Sequence, residues 1–401
     1  MRVLLVAPYY KPAFVYGGPV HSNATLCEGL ARLGVQTAVF TTGANAGQEL
    51  GVPLGQPLDV GDVETWYFPL SWGGFAFYSR GLAAACARRV REFDLVLIAA
   101  LFTHPAHPAA RACWRTGTPY VVIPRGGLLP ASLAPKGWKK RPYLALVGRR
   151  LLNGAAGVQC TDVSEANAIA PLGLRAPVFT VPNALDAAAW AQLPPRGALR
   201  QRLGVPPAAP VLLFLGRLHH KKRPDIAVEA LAAACSSGLD AHLVLAGPDE
   251  QGLGPRLQAQ AQHHGCGDRL HLTGLLTADG VRGALGDSDL LLMPSAPASE
   301  NFGMSAAEAM AAGCPVLASL GVPAGDIAAL GGAGRSAECT AAAFGRATVQ
   351  LLSDRAHLAA MGLRAQEVAR ARFDLLAVAR KALDHYESLV RKGAPSSATT
   401  G

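Results

Sequence analysis

Two glutamates separated by seven residues, Glu300 and Glu308, lie in the stretch SAPASENFGMSAAEAMAAGCPVLAS, residues 295–319. The apolar run Leu290–Met293 before it predicts a buried strand, and a helix is predicted from about Met304 to Ala312. A strand–loop–helix turn of this kind gathers free backbone N–H groups at the positive end of the helix, which suits a bound anion. The two carboxylates would therefore lie beside an anion site.

Carboxylates repel a phosphate, so Glu300 and Glu308 make more chemical sense as acceptors for hydroxyl groups of a ribose or a hexose. Taken alone, the pair also fits an acid near a helix N-terminus beside an unrelated loop acid.

A second stretch has basic residues between a predicted strand and a predicted helix. The predicted strand Val211–Leu215 runs into Gly216 and Arg217, and the basic residues 219–223 (HHKKR) precede a helix predicted from Asp225. Arginine and lysine before a helix start are typical of a diphosphate site. A solvated basic turn is the alternative. The histidines stand at no metal-ligand spacing, so we predict no metal site.

Near the beginning, the predicted strand Arg2–Ala7 leads to Gly17 and Gly18, followed by a helix predicted from Val20 to Gly34. Glycines here let the backbone approach a ligand closely. The spacing is not the G-x-G-x-x-G of a dinucleotide fold, and a tight turn without a ligand would also explain it.

His104 and Arg125 follow two further predicted strands, which end at Leu101 and Ile123. In open α/β sheets, ligand groups collect beyond the carboxyl ends of the strands, so both residues are candidates for function. Either one could instead be a solvated residue at a loop tip.

The elements that position these residues alternate between strand and helix along a chain of 401 residues, long enough for two domains. We predict an α/β fold of two doubly wound, Rossmann-like domains facing each other across a cleft. Residues 1–186 form the first domain and 187–371 the second. A C-terminal helix of about 372–391 packs back on the first domain, and 393–401 form a disordered tail.

The first 186 residues carry 17 Lys+Arg against 10 Asp+Glu, and the remainder 20 against 18. The densest basic segment, Lys136 to Arg150, interleaves six basic side chains with Trp138 and Tyr143, which suits an anionic membrane surface as well as a solvated helix face. No recognised motif favours nucleic acid. Eight scattered cysteines and a short initial apolar run favour a reduced, cytoplasmic protein, placed on the inner face of the membrane if the segment binds there.

Glu300-Asn-Phe-Gly-Met…Glu308, together with Gly216-Arg217…Lys222 and Gly17-Gly18, resembles the retaining glycosyltransferases of family 4, which have the GT-B fold, over nearly the whole chain. The region around His104 and Arg125 is similar to members that build bacterial surface polysaccharides.

The resemblance implies a role for each matching residue. The donor diphosphate lies against Gly17 and Gly18 and binds Arg217 and Lys222. The donor sugar contacts Glu300 and the segment Asn301, Phe302, Gly303, Met304. Glu308 binds the ribose, with Gly247 and Leu275 near the base.

Glu300, Arg125 and His104 are the predicted catalytic residues. Many family members have a histidine where this chain has Arg125, and an arginine cannot act as a base. In the front-face mechanism attributed to the family, the leaving diphosphate itself deprotonates the acceptor. The arginine at this position is therefore expected to affect the binding of the acceptor more than the transfer reaction itself.

The implied function is a retaining, metal-independent hexosyltransferase without a cofactor. It would move a sugar from a nucleotide-diphosphate sugar, with a UDP-sugar favoured and a GDP-sugar as the alternative, to a hydroxyl of a saccharide or lipid-linked acceptor. The alternatives are a non-hydrolysing nucleotide-sugar epimerase, a phosphorylase-like enzyme and a non-catalytic binding protein on the same fold.

Overall fold

In the computed structural model, which describes residues 1–135, 137–186, 189–190 and 192–393, the chain folds as two compact units. The first unit comprises residues 1–184 together with a C-terminal helix that begins at Leu375, and the second is Leu185–Asp374. Of the predicted tail, Gly393 ends the C-terminal helix, and 394–401 lie outside the described residues.

The first unit is built on an eight-stranded sheet in the order β10-β9-β8-β7-β1-β2-β6-β5, parallel except where β5 pairs with β6. Its strands are β1 (Arg2–Val6), β2 (Gln36–Thr42), β5 (Pro57–Asp59), β6 (Glu64–Phe68), β7 (Leu95–Ala99), β8 (Tyr120–Ile123), β9 (Gly157–Cys160) and β10 (Val178–Thr180), and a separate hairpin pairs β3 (Ala44–Asn45) with β4 (Gln48–Glu49). The central strand β1 is apolar on both faces, as expected for a parallel sheet covered by helices on both sides.

The helices of the first unit follow its strands. They are α1 (Gly18–Arg32), α2 (Arg80–Arg89), α3 (Ala106–Thr116), α4 (Pro130–Leu133), α5 (Gly137–Tyr143), α6 (Arg149–Asn153), α7 (Val163–Ile169) and the C-terminal helix (Leu375–Gly393), and a π-helical turn (Leu144–Gly148) joins α5 to α6. One face of β1 packs with α1 and the C-terminal helix, and the other packs with α2, α3 and α6.

Close packing of α1 on the C-terminal helix depends on Gly29, where a Cβ would lie 2.8 Å from Cβ of Ala379. The C-terminal helix also buries Tyr386, whose hydroxyl donates a hydrogen bond to Gln159 of β9. The helix Leu375–Gly393 is thus part of the first unit.

The second unit is a six-stranded, fully parallel sheet in the order β13-β12-β11-β14-β15-β16. Its strands are β11 (Val211–Leu215), β12 (His242–Ala246), β13 (Leu270–Gly274), β14 (Leu290–Met293), β15 (Val316–Ser319) and β16 (Gly334–Ala337). Its helices are α8 (Ala198–Leu203), α9 (Pro224–Ser236), α10 (Gly254–His263), α11 (Ala278–Asp287), α12 (Met304–Ala312), α13 (Pro323–Leu330), α14 (Ala341–Ser353) and α15 (Arg355–Phe373).

The two faces of this sheet are buried by different sets of helices. Leu213 of β11 packs with α11, α12 and α13, and its neighbour Leu212 packs with α9 and α14. Each such leucine contributes about 1.5–3 kcal/mol on burial. The predicted pair of doubly wound, Rossmann-like sheets is therefore confirmed.

Three further features concern what the chain could bind. All eight cysteines are free thiols. Among the described residues, no group of three or more His, Cys, Asp or Glu side chains could hold a metal ion. Within the same ranges, no helix has both the length and the apolar character needed to cross a membrane.

Candidate active site

The carboxyl ends of β11, β12 and β14 bring together the residues predicted to bind a diphosphate and a sugar. Gly216 follows β11 with φ 148°, and Gly247 follows β12 with φ 150°. A Cβ at Gly247 would overlap the carbonyl group of Gly216, so only glycine allows these two loops to lie so close. Backbone bonds from Gly216 N to the Ala246 carbonyl (2.8 Å) and from Gly247 N to the Gly274 carbonyl (2.8 Å) fix the loop ends.

Lys222 and Glu300 are joined directly in this site. Nζ of Lys222 lies 2.6 Å from Oε1 of Glu300, and the two side chains are only 24% and 13% exposed. The Ser295 hydroxyl donates a second hydrogen bond to the same oxygen at 2.8 Å. Lys222, which is predicted to bind phosphate, and Glu300, which is predicted to bind the sugar, thus form a largely buried ion pair.

The loops that carry these two residues are also held together by their backbones. Lys222 ends a short 3-10 helix (His220–Lys222), and the carbonyl of Lys221 accepts a hydrogen bond from the backbone N–H of Ala296 at 2.8 Å. The hydroxyl of Ser299 donates to the same carbonyl at 3.2 Å. The position of Glu300 is therefore fixed relative to the basic loop.

Arg217 lies in a more open position. Its guanidinium is 3.1 Å from a carboxylate oxygen of Glu250, and the two side chains are 53% and 43% exposed. An exposed ion pair of this kind contributes about 0–1 kcal/mol, so a phosphate could displace the carboxylate at little cost. Sequence reasoning missed Glu250, because no pattern links two residues in separate loops.

The helix α12 begins at this site without a side-chain cap. Its N-cap is Gly303, in the left-handed conformation with φ 91°, and a glycine has no side chain to cap the first N–H groups. A Cβ on Gly303 would also lie 2.8 Å from Val322. The N–H groups of Ala306 and Ala307 donate to the Gly303 carbonyl, and no side chain caps the helix, so its positive dipole end stays open to an anion.

Glu308 lies further along α12 and is half-buried. Burial raises the pKa of its carboxyl group to about 7, against an opposing attraction from Lys222. Among the described residues, nothing donates a hydrogen bond to this carboxyl group. A raised pKa and unused acceptor capacity are typical of a ligand-binding group.

The other predicted donor residues differ in exposure. Phe302 is buried against Phe373, with ring centroids 5.5 Å apart, and Met304 packs beside it in the same core. Asn301 is partly buried in the loop before α12. Leu275 is 71% exposed. Phe302 and Met304 thus support the loop through the core, while Leu275 presents an open apolar surface.

In the first unit, Gly17 caps α1 with φ 71°, and Gly18 is the first residue of that helix. No acid occupies the first turn of α1. Like α12, this helix begins at a glycine cap without a side-chain acceptor, so its positive dipole end is not neutralised by a side chain.

Arg125 follows β8 with φ 51° and is held by three hydrogen-bond partners within the first unit. Its guanidinium donates to Asn23 of α1 at 2.9 and 3.1 Å, to the carbonyl of Ser22 at 3.2 Å and to Asn183 at 2.5 Å. Burial lowers the pKa of the guanidinium, an effect opposed by Glu165. The arginine therefore ties the start of α1 to the ends of two other segments.

His104 stands before α3 with its ring 4.3 Å from that of Tyr78. Nδ1 of the imidazole is buried and has no hydrogen-bond partner among the described residues. Burial and the neighbouring His107 lower the pKa of the ring, so it is neutral at neutral pH.

Comparison with known proteins identifies the family. Residues 17–184 match the family described as "Glycosyl transferase 4-like domain", and residues 195–368 match "Glycosyl transferases group 1".

Among curated proteins, the chain is 30% identical over 322 residues to a D-inositol 3-phosphate glycosyltransferase of Saccharomonospora viridis, covering 75% of this chain and 73% of that one. It is 34% identical over 183 residues to a 2-deoxystreptamine glucosyltransferase of Streptomyces kanamyceticus, a match that spans about half of each chain, 45% and 46%.

Among solved structures, Anabaena HepE in complex with UDP and glucose superimposes with a TM-score of 0.74 at 20% identity, over 97% of this chain and all of that one. Together with the two family matches, these similarities show that the chain belongs to the group 1 glycosyltransferases, enzymes of the GT-B fold that use nucleotide-sugar donors.

Proposed function

We propose that the protein is a retaining, metal-independent hexosyltransferase. In this proposal it moves a sugar from a nucleoside-diphosphate sugar, with UDP preferred over GDP, to a hydroxyl of a saccharide or lipid-linked acceptor. The observation that carries the proposal is the ion pair of Lys222 with Glu300, beside the close glycine contact and the unpaired carboxyl group of Glu308. One cation for a diphosphate and two carboxyl groups for hydroxyls meet at the same strand ends.

Each side chain then has a role that follows from its chemistry. Lys222, Arg217 and the N-terminal end of α12 bind the diphosphate in the second unit. For Gly17 and Gly18, the glycine-capped start of α1 supports a role in binding phosphate. Glu308 accepts hydrogen bonds from the ribose hydroxyls, with Gly247 and Leu275 beside the base.

The sugar contacts Glu300 and the segment from Asn301 to Met304. In the resting site, Lys222 and Glu300 neutralise each other. A diphosphate that attracts Lys222 separates the pair and leaves the carboxylate of Glu300 free to accept hydrogen bonds from the sugar.

The proposed reaction breaks the bond between the anomeric carbon and the diphosphate oxygen, and the acceptor oxygen bonds to the same face of that carbon. The electron pair of the broken bond stays on the diphosphate, which takes the proton of the acceptor hydroxyl. Lys222 and Arg217 stabilise the charge that develops on the diphosphate.

Arg125 and His104 belong to the acceptor side of this proposal. Because its guanidinium is occupied within the first unit, Arg125 acts as a positioning residue for α1. The buried, unpaired Nδ1 of His104 makes this residue the better candidate for contact with an acceptor hydroxyl.

The test pairs two conservative variants. Glu300→Gln is expected to bind free UDP normally and to lose turnover, whereas Glu308→Gln is expected to weaken UDP binding itself. Calorimetry measures the affinity, and NMR of the product reports the anomeric configuration.

Inversion of the anomeric centre would refute the retaining mechanism. Conversion of the nucleotide sugar to its epimer without transfer would favour an epimerase, and UDP binding without any reaction would favour a binding protein.

We also propose that the protein binds the inner face of the membrane through its basic segment. Lys139 lies over the ring of Trp138, 4.7 Å from Nζ to the ring centroid, while the side chains of Lys140 and Arg149 donate to the backbone carbonyls of Ser132 and Leu172. Trp138 and Leu146 of the same segment are 75% and 78% exposed. Lys136, the first residue of the predicted segment, lies outside the described residues.

Each cation near an anionic surface adds about 1 kcal/mol of attraction. Removing Lys139, Lys140 and Arg149 should therefore abolish flotation with phosphatidylglycerol vesicles at low salt. Removing the exposed Arg256 and Arg346 of the second unit should leave flotation unchanged. Equal flotation of both variants would contradict the assignment to this segment.

A further inference from the structure

A groove of about 590 Å³ runs along the outer side of α3 in the first unit. Alanines line much of it, among them Ala83 and Ala87 of α2 and Ala110 of α3, and small side chains leave the space open. Leu146, in the π-helical turn, forms part of the opposite wall. The interior of the groove is therefore mainly apolar, and its polar lining includes the imidazoles of His107 and of His104, the residue proposed to contact an acceptor hydroxyl.

The charged residues that line this groove are cationic. Arg111 and Arg115 of α3 and Arg150 of α6 line it, and all three are exposed. None of them has a carboxylate partner within the described part of the chain, and no acid lines the groove. Arg150 is held by its contact with the ring of Trp114, 5.2 Å from the guanidinium carbon to the ring centroid. Three unpaired arginines around one opening favour a phosphate.

An apolar interior and a cationic rim together select an amphiphile. A sugar or a free nucleotide would leave the alanine-lined interior unused, and a neutral lipid would leave the arginines without a partner. The 11 residues of α3 span roughly 16 Å. One leaflet of a bilayer has a hydrocarbon thickness of about 15 Å, half of the full core. The helix that lines the groove is thus about as long as one extended acyl chain.

We propose that this groove binds one acyl chain of an anionic phospholipid, with the lipid phosphate held by Arg111, Arg115 and Arg150. The inference rests on the proposed membrane-side function and deepens it. A lipid seated in this way would hold the first unit to the bilayer by a specific contact in addition to the general attraction of the basic segment.

The experiment uses single-chain lysophosphatidylglycerol below its micelle concentration, so that binding to one molecule is separated from adsorption to a surface. Lysophosphatidylcholine and inorganic phosphate serve as probes that lack the net charge and the chain, respectively. Wild-type protein is expected to bind lysophosphatidylglycerol at least tenfold more tightly than either.

Two variants test the apolar interior and the cationic rim of the groove separately. Ala87→Trp fills it without changing charge, and replacement of all three arginines by glutamine removes the phosphate site. Each should weaken lysophosphatidylglycerol binding at least tenfold. The matched control is Arg88→Gln, an exposed arginine next to Ala87 that does not line the groove, and it should bind within twofold of wild type. Circular dichroism confirms that each variant is folded.

Unchanged binding in folded Ala87→Trp would overturn the proposal, because the chain would then not lie in the groove. Equal affinity for inorganic phosphate and for lysophosphatidylglycerol would overturn it as well. UDP binding separates this failure from failure of the proposed function. A protein that binds UDP but discriminates none of the lipids disproves only the groove, whereas one that binds no nucleotide disproves the donor site.

Discussion

Replacing Glu308 with glutamine should stabilise the protein at alkaline pH while weakening its binding of nucleotide. Glutamine keeps the shape of the side chain but cannot ionise. The carboxyl group that it replaces is half-buried and receives no hydrogen bond from the described residues, so few favourable contacts are lost. The gain in stability comes from removing a charge that folding places in a poorly solvated position.

The size of the effect follows from the pKa of Glu308, which folding raises from 4.5 to about 7. Between these values the folded protein keeps a proton that the unfolded chain has lost, so the stability of the wild type falls as pH rises through this window. A difference of about 2.5 pKa units corresponds to about 3 kcal/mol. The advantage of Glu308→Gln should thus be close to zero at pH 4.5 and reach about 3 kcal/mol at pH 8.

The assay is urea unfolding of both proteins at pH 5, 6, 7 and 8. Because the two units can unfold separately, the transition to follow is the one that UDP shifts to higher urea, which reports the second unit. The control variant is Glu367→Gln, which removes an exposed carboxylate paired with Arg364 on α15. Its stability difference from the wild type should remain small throughout, as for exposed ion pairs in general.

A difference between Glu308→Gln and wild type that is the same at pH 5 and pH 8 would refute the reasoning, because the carboxyl group would then not titrate in this window. A Glu308→Gln variant that is less stable than the wild type at pH 8 would also refute the reasoning. Calorimetry at pH 8 completes the test, since loss of the charged acceptor should weaken UDP binding in the more stable variant. Stability and binding would then oppose each other at one residue.

Four other predictions concern the candidate donor site and its reaction. Lys222→Ala should weaken UDP binding by about 1.5–3 kcal/mol in calorimetry, as for a lost charge-assisted contact, and unchanged affinity would contradict the diphosphate assignment. Glu300→Gln should lower turnover roughly a hundredfold, the cost of misplacing reacting atoms by about 1 Å, and normal turnover would exclude a role in positioning the sugar. Gly247→Ala should unfold at lower temperature and lose UDP binding, because its Cβ has no space; a variant with both properties intact would show that the loops can separate. Turnover should persist in a chelator, and loss that Mn²⁺ or Mg²⁺ restores would contradict the metal-independent mechanism.

The sequence predicted the parts of the fold that rest on strong local patterns. The runs Val211–Leu215 and Leu290–Met293 are apolar throughout, as fully buried parallel strands require, and both form central strands of the second sheet. Residues 43–79 have no apolar run of this kind, and they contain strands of two to five residues, one of them antiparallel at a sheet edge. Such short strands carry too few residues for a period to be recognised.

In the candidate site, too, the sequence predicted individual residues but not the contacts between them. Spacing and resemblance selected Lys222 and Glu300, but their ion pair depends on two loops 78 residues apart in the chain. Arg125 was placed at a strand end, yet its partners Asn23 and Asn183 lie 102 and 58 residues away and had no signal of their own. The raised pKa of Glu308 likewise comes from burial, which only the packed structure determines. Contacts between loops that are distant in the chain could not be predicted from the sequence pattern alone.

The chain path has a consequence for synthesis on the ribosome. The second unit lies entirely within the sequence of the first, because Leu185–Asp374 separates the sheet of the first unit from the helix Leu375–Gly393 that covers one of its faces. Translation therefore delivers every strand of the first sheet before the helix that shields Val3, Leu5 and Leu97. The second unit, whose segments emerge consecutively, can finish folding while that apolar face still waits for its cover. Nascent chains stalled before Leu375 should accordingly bind chaperones through the first unit and release them once the helix Leu375–Gly393 has emerged.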